Sequence, residues 1–303
     1  MSIVMSKKCA CDVCGSANST PINCLTTYTA GQEVDVCRDC GFVFVSHRRS
    51  FKEIADSWSH EIFANGEGEK TQGELYTAVR PAIRARLIHI LETIDQELGI
   101  HGASICDIGA GEGVFLDYVE KLKQPSSVFA IEPSDKNCEL LTKLGINNFC
   151  GTIEDYLSSS NHSSGQFDIA VIQWTLECCA DAKDMLKAAW GLVKPGGHIV
   201  IGTGSRILVP FKKPLQFYVS AGEQDTHALR FSAKSIRNIL RLSGFEPIFI
   251  NRYIDNDIMC VIGQKSEIPE HVELERDDYN EVIKFFERWH KESKNHYANW
   301  VDD

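Results

Sequence analysis

Ile105-Cys106-Asp107-Ile108-Gly109-Ala110-Gly111-Glu112-Gly113 closes an apolar run on an acid and follows it with three alternating glycines. Apolar residues at helical spacing resume at Val114 and run to Lys121, so the stretch reads as strand, tight loop and helix N-terminus. Glycine lets such a loop take left-handed dihedrals and approach a ligand closely. A dinucleotide fingerprint spaces its glycines G-x-G-x-x-G so that pyrophosphate meets the helix N-terminus. Here the third glycine comes one residue early, and Asp107 and Glu112 would repel phosphate. The pattern excludes a pyrophosphate and suits a cationic ligand, which carboxylates attract. The next strand ends Val128-Phe-Ala-Ile-Glu132-Pro133-Ser134, setting an acid 19 residues beyond Gly113. A carboxylate there can accept hydrogen bonds from both hydroxyls of a ribose.

Working outward, strand-like and helix-like segments alternate: Ser104–Ile108, Phe115–Leu122, Ser127–Ile131, Lys136–Leu144, Asn148–Cys150, Phe167–Gln173, Ala182–Val193 and His198–Gly202. Alternation of this kind predicts a parallel sheet covered by helices on both faces. Before it, Val79, Ile83, Leu87, Ile90, Leu91 and Ile94 mark a packed helix within Leu75–Leu98. After it come a helix over Ser235–Ser243 and two strand-like runs, Pro247–Tyr253 and Ile258–Gln264, split by the turn signal Asp255-Asn256-Asp257. The expected fold is therefore α/β: a Rossmann-like doubly wound sheet, mostly parallel, with an antiparallel terminal hairpin. Ser158 to Gly165 reads as a polar surface loop. Val282, Phe285, Phe286 and Trp289 predict a docked helix in the tail.

Six of the twelve cysteines fall in the first 40 residues. Cys11-x2-Cys14 and Cys37-x2-Cys40, separated by 22 residues, form two knuckles that can offer four thiolates to a tetrahedral zinc. Val34-Asp-Val36 and Phe42–Val45 supply the strands of a small zinc ribbon. Cys9 and Cys24 stand as substitute ligands. A closed site of four thiolates has no open coordination position, so the expected role of Zn2+ is structural. The division expected is a zinc-binding module over 1–50, a linker or lid over 51–74, a catalytic domain over 75–266 and a helical extension over 267–303.

With Asp107, the glycine loop and Glu132 in place, the chain resembles the class I S-adenosylmethionine-dependent methyltransferases over about Leu75 to Lys265. The resemblance implies S-adenosyl-L-methionine as cofactor, held by Asp107 and Glu132 with Gly109, Ala110, Gly111 and Pro133 alongside. Phe167-Asp-Ile-Ala-Val-Ile-Gln173-Trp174-Thr-Leu176-Glu177 is similar to the fourth strand and its cofactor-facing end, and Lys194-Pro-Gly-Gly197 to the turn before the fifth. Gln173, Trp174 and Leu176 then either face the cofactor or pack in the core. Where the family often carries an adenine-binding Asp, Gly151-Thr152-Ile153-Glu154 offers Thr152, Ile153 and Glu154 instead.

The long segment Ser205–Phe231 ends His227-Ala-Leu-Arg230-Phe231-Ser232, which resembles the His-x-x-x-Phe-Ser pattern of many small-molecule and sugar methyltransferases. That makes His227 the candidate general base, with a pKa near 6.5 expected in the absence of strong perturbation. Tyr76, Trp58, His60, Glu223 and Arg230 are candidates for the acceptor pocket. The zinc module ahead of the catalytic domain resembles the front part of nucleotide-sugar C-methyltransferases, whose further C-terminal domain is not expected in the 35 or so residues after the last strand. Transfer to a hydroxyl of a carbohydrate-like or nucleotide-sugar acceptor is the reading preferred. A zinc-ribbon ribosomal RNA base methyltransferase and a non-catalytic cofactor-binding regulatory module are the alternatives.

A formal net charge of -11 disfavours phosphate backbones and hence nucleic acid. The sequence shows neither a long apolar span nor a secretory leader, so a cytoplasmic enzyme without a membrane partner is expected. In a reducing compartment the cysteines are expected to be ligands or free thiols rather than disulfides. The sequence does not name the oligomeric state.

Overall fold

The computed structural model describes residues 8–29, 32–48, 50, 53–54, 81–160, 164–210, 213–219 and 227–297. Its centre is three neighbouring strands in which Ile, Val, Phe and Ala predominate: β4 (Ser104–Ile108), β5 (Ser127–Glu132) and β7 (Phe167–Gln173). Apolar side chains on both strand faces require cover on both sides, as parallel sheets receive. With β6 (Asn148–Cys150), β8 (Val193–Thr203), β10 (Phe245–Ile250) and β11 (Met259–Lys265) they form a seven-stranded sheet of order β10-β11-β8-β7-β4-β5-β6. The pairs from β8 through β6 are parallel, while β11 runs antiparallel to both β8 and β10. This is the doubly wound sheet with a terminal hairpin that the patterning predicts.

Alternate residues of each strand feed two separate cores. On one face Ile105, Ala130, Val171 and Val200 meet α1 (Pro81–Leu98) and α2 (Val114–Lys123) through Ile90, Leu91, Ile94 and Leu116. On the other, Ile108, Ile131, Ile172 and Ile201 meet α4 (Ile153–Ser158), α5 (Ala182–Leu192) and α7 (Ala233–Leu242). Between β5 and β6 runs α3 (Asp135–Lys143). Cys138 on α3 and Cys150 at the end of β6 form a disulfide with Cα atoms 5.8 Å apart, a separation that a disulfide spans without backbone movement. This corrects the expectation of free thiols, because folding brings together two cysteines 12 residues apart that sit in no recognisable motif.

The described part of the N-terminal module does not stand apart. β1 (Ser19–Pro21), β2 (Val34–Cys37) and β3 (Val43–Val45) make an antiparallel ribbon, and its outer edge is completed by β9 (Leu229–Arg230), from the long segment after β8. Val45 N donates to Ala228 O at 2.8 Å, and the same segment is tied to the end of β8 by Phe231 N to Ser205 O, also 2.8 Å. That segment also carries a short helix, α6 (Leu215–Tyr218). The tail helix α8 (Tyr279–Tyr297) lies across both: Tyr28 Oη meets His290 Nδ1 at 2.6 Å, and Trp289 Nε1 donates to Lys213 O at 2.9 Å. Ribbon, central sheet and tail helix share one apolar core. Among the described residues no helix is long and apolar enough to cross a membrane.

Phe42 sits at this junction, its ring 5.6 Å from Phe231 and 6.0 Å from Phe44. Phe42→Ala should cost about 3–5 kcal/mol of stability, the usual penalty for emptying a buried aromatic site. Because the core is shared, calorimetry should show one cooperative transition moving down. A separate low-temperature transition confined to the ribbon would show that it folds independently.

Candidate functional site

β4 and β5 lie side by side in parallel register, Asp107 opposite Ala130 and Ile108 opposite Ile131, so their C-terminal ends bring Asp107 and Glu132 to one edge. Both are buried, at 2% and 5% exposure. The glycine loop turns between them. Gly109 has φ 77° and its N–H donates to Ile131 O at 2.7 Å; a Cβ there would run into the Thr175 side chain. Gly111, at φ 55°, has open space where a side chain would project, which leaves room for a ligand. Glu132 accepts from Gly111 N at 2.8 Å, Ser134 N at 2.9 Å and Asn137 Nδ2 at 3.3 Å.

Two cavities meet here. One of about 410 Å³ is lined by Asp107, the loop residues Gly109, Ala110, Gly111 and Glu112, and by Glu132 and Asn137. Gln173 and Trp174 close it from β7, and Ile83, Arg86 and Leu87 from α1. The second, about 380 Å³, is mostly apolar and runs past Ile131 and Pro133 to Thr152, Ile153 and Glu154, with Cys178 to Met185 opposite. Gly109, Pro133, Thr175 and Cys178 border both, so they form one cleft along the strand ends. Trp174 adopts φ 52°, a left-handed conformation that costs a bulky residue about 1–3 kcal/mol and here sets its ring in the cleft wall.

The electrostatics of the cleft call for a cation. Burial, and secondarily the neighbouring Glu132, push the Asp107 carboxyl up to about 8. Burial also raises Glu132, against the opposing N–H donors. Among the described residues Asp107 Oδ1, Asn137 Oδ1 and both amide atoms of Gln173 are buried without a hydrogen-bond partner. Orphaned polar atoms of this kind are costly in a finished interior and are ordinarily satisfied by water or ligand. A ligand with a positive centre at one end, hydroxyls in the middle and a flat apolar ring at the other matches the order of these surfaces.

Asp107, Gly109, Ala110, Gly111, Glu132, Pro133, Thr152, Ile153, Glu154, Gln173 and Trp174 thus share one cleft. Thr152 also caps α4, accepting from Asp155 N at 3.2 Å. Leu176, by contrast, is fully buried in the core. Tyr76, Trp58, His60 and Glu223 lie outside the described residues. Arg230 is buried on β9, and His227 is half-buried just before it and borders neither cavity. Its pKa is not near 6.5: burial first, then Arg230 and Lys213, hold the imidazole down at about 4.

Sequence reasoning missed Ile54, Asn137, Arg86 and the Cys179–Asp181 wall. Asn137 follows Glu132 by one helical start and could have been found from that spacing. Glu177 was read only as part of a strand-end motif. It is fully buried with its carboxyl raised to about 7 by burial, opposed by the Thr203 hydroxyl and the Gly204 backbone.

The ribbon brings the Sγ atoms of Cys11, Cys14, Cys37 and Cys40 within 4.8 Å of one another. Cys11 and Cys40 are 3.5 Å apart, Cys14 and Cys37 3.4 Å. Tetrahedral zinc with Zn–S bonds of about 2.3 Å would space them by roughly 3.8 Å, so the donor set fits a closed four-thiolate centre. Cys24 lies beside Glu287 and Cys9 beside Arg48, both outside this cluster.

A family model described as a methyltransferase domain matches residues 78–248. The chain is 25% identical over 167 residues to a ubiquinone biosynthesis O-methyltransferase of Vibrio parahaemolyticus, covering 53% of this chain and 63% of that protein. It is 27% identical over 137 residues to the protein of the same name from Coxiella burnetii, covering 42% and 56%. The chain therefore spans less than two thirds of the length of these curated relatives. The fold is that of the Burkholderia thailandensis 1,6-didemethyltoxoflavin-N1-methyltransferase, solved with 1,6-didemethyltoxoflavin and S-adenosylhomocysteine. The TM-score is 0.51 at 15% identity, over 75% of this chain and 96% of that one.

Because the Asp107 pKa is raised on folding, the native state binds more protons than the unfolded chain between the usual carboxylate range and about 8. Its contribution to stability is complete below about pH 4 and is lost as pH rises through about 8. In thermal melts from about pH 5 to 8.5 without ligand, the unmodified protein should lose stability more steeply than Asp107→Asn, which has no proton to lose. Parallel curves would show that Asp107 is already ionised at neutral pH.

Proposed function

The chain belongs to the methyltransferase-domain family, and from that premise we propose that it transfers a methyl group from S-adenosylmethionine to a hydroxyl of a polar small molecule. The observation that carries this reading is the pair of buried acids flanking a glycine loop, with Asp107 Oδ1 unpartnered in the cleft. Bound there, S-adenosylmethionine supplies an electrophilic methyl on a sulfonium. Asp107, ionised on contact with a cation, holds the aminoacyl end. Glu132 keeps its backbone donors and offers its remaining lone pairs to the ribose hydroxyls. Ile131, Pro133 and Ile153 line the apolar end of the cleft and would hold the adenine there, with Thr152 and Glu154 offering polar groups. The early third glycine and the acids on either side of the loop suit a cation better than a pyrophosphate, which sets this cleft apart from a nicotinamide site.

Oxygen as the acceptor atom is supported by the names of the curated relatives, and the carbohydrate-like or nucleotide-sugar acceptor rests on the sequence resemblance alone. His227 remains our candidate base. An imidazole held near 4 is neutral at physiological pH and so is free to accept a proton, although its weak basicity demands an acceptor positioned for concerted transfer. The four-cysteine cluster we read as a structural zinc site, since it leaves no coordination position for substrate.

Calorimetry should detect binding of S-adenosylmethionine and none of NAD, with proton release at neutral pH as Asp107 ionises and affinity rising toward about pH 8. Glu132→Ala should weaken binding by about 1.5–3 kcal/mol, the worth of hydrogen bonds to a charged group. An unaltered dissociation constant would remove Glu132 from the site.

Given an un-ionised hydroxyl acceptor found by screening, His227→Ala should keep cofactor affinity and lower turnover by about 100-fold. The acidic limb of the unmodified enzyme should lie near 4 and vanish in the variant. A near-normal rate would reduce His227 to a structural role.

A further inference from the structure

The adenine end of the cleft is not built by the methyltransferase domain alone. Asp12 lies between Cys11 and Cys14, and its carboxylate accepts two hydrogen bonds from Arg48, Nη1 to Oδ1 at 3.0 Å and Nη2 to Oδ2 at 2.9 Å. These side chains are 1% and 3% exposed, so the knuckle grips Arg48 in a dry, bidentate pair whose geometry tolerates little movement. Two residues on, Ser50 N and Oγ donate to Glu53 Oε2 at 2.8 and 2.7 Å, and Ile54 N donates to Ser50 O at 3.0 Å. Ile54, 9% exposed, stands in the wall of the 380 Å³ cavity with Ile131, Pro133 and Ile153.

We propose that the four-cysteine ribbon braces the Ile54 wall of the adenine subsite, so that metal held by Cys11, Cys14, Cys37 and Cys40 governs cofactor affinity through the Asp12–Arg48 pair and Ile54. The inference rests on reading the cleft as a site for S-adenosylmethionine. Arg48 is a positioning residue and Ile54 an apolar contact to the ring. A metal bound by four thiolates ties the two knuckles, whose sulfurs lie 3.4–3.5 Å apart, to one another. Its loss releases that tie, so that Asp12 holds Arg48 less firmly and Ile54 is no longer braced. Nothing in the cleft itself, from Asp107 to Glu132, need change.

The test measures zinc content and the dissociation constant of S-adenosylhomocysteine on the full chain. It compares the protein as purified, after chelation, after zinc is restored, and as Ile54→Ser and Arg48→Met. About one zinc per chain is expected, with chelation weakening binding by at least about tenfold and zinc restoring it. Ile54→Ser should weaken binding by roughly tenfold, as loss of one apolar contact surface implies, with zinc content unchanged. Arg48→Met should do the same, which separates positioning of the wall from metal retention. Should the chelated chain unfold, Ile54→Ser decides, since it leaves the knuckles whole. Unchanged affinity in Ile54→Ser, or in a folded zinc-free chain, would overturn the proposal while leaving the cofactor reading intact. A protein purified without metal would overturn its metal dependence. No binding by any form, the unmodified chain included, would instead overturn the cofactor reading itself.

Discussion

Two carboxyl groups buried on neighbouring parallel strands are the constraint around which the cleft is arranged. Burying even one charge is expensive unless it is partnered, and Asp107 and Glu132 have solved the problem differently. Glu132 is ringed by N–H donors from the glycine loop, the turn after β5 and Asn137, which oppose the effect of burial. Asp107 has no such ring and keeps an oxygen bare. The loop geometry follows from this division. Gly109 must pass close to Thr175, and Gly111 must present its N–H to Glu132 while leaving space above. The result is a site whose resting state is short of positive charge, with a strained Trp174 held beside it.

The second organising feature is β9. Two residues from the long segment after β8 complete the ribbon sheet, while Phe231, immediately after them, is bonded back to Ser205 at the end of β8. A ribbon of three short strands has little core of its own, and small units of this size ordinarily need a metal or a neighbour. Here it has a candidate metal centre on one side and Phe231, Ala228 and the tail helix on the other. One apolar cluster runs across the expected boundaries at 50 and 266.

The same packing explains why His227 departs from an ordinary histidine. It sits where the segment after β8 turns into β9, and burial first, then Arg230 and Lys213, disfavour a further proton. Burial raises the Tyr218 hydroxyl in the same region, opposed by Arg230 and reinforced by Glu177. Glu177, which follows β7, thus meets Tyr218, Lys213 and Arg230 from the segment after β8.

What the sequence determined by itself was whatever local pattern encodes. Strand and helix order followed from apolar periodicity; the two-acid cleft followed from acids at strand ends flanking a glycine loop; and the thiolate cluster followed from two Cys-x2-Cys knuckles. These signals are short-range because a turn, a knuckle or a helix face is specified by neighbours within a few residues. The tertiary structure alone decided that Ile54 borders the cleft, that Cys138 meets Cys150, that Leu176 faces the core and that β9 joins the ribbon. It also decided the proton affinities of Asp107 and His227. Each of these depends on residues far apart in the chain and on how completely water is removed from around them, and desolvation is a property of the assembled interior that no stretch of sequence carries.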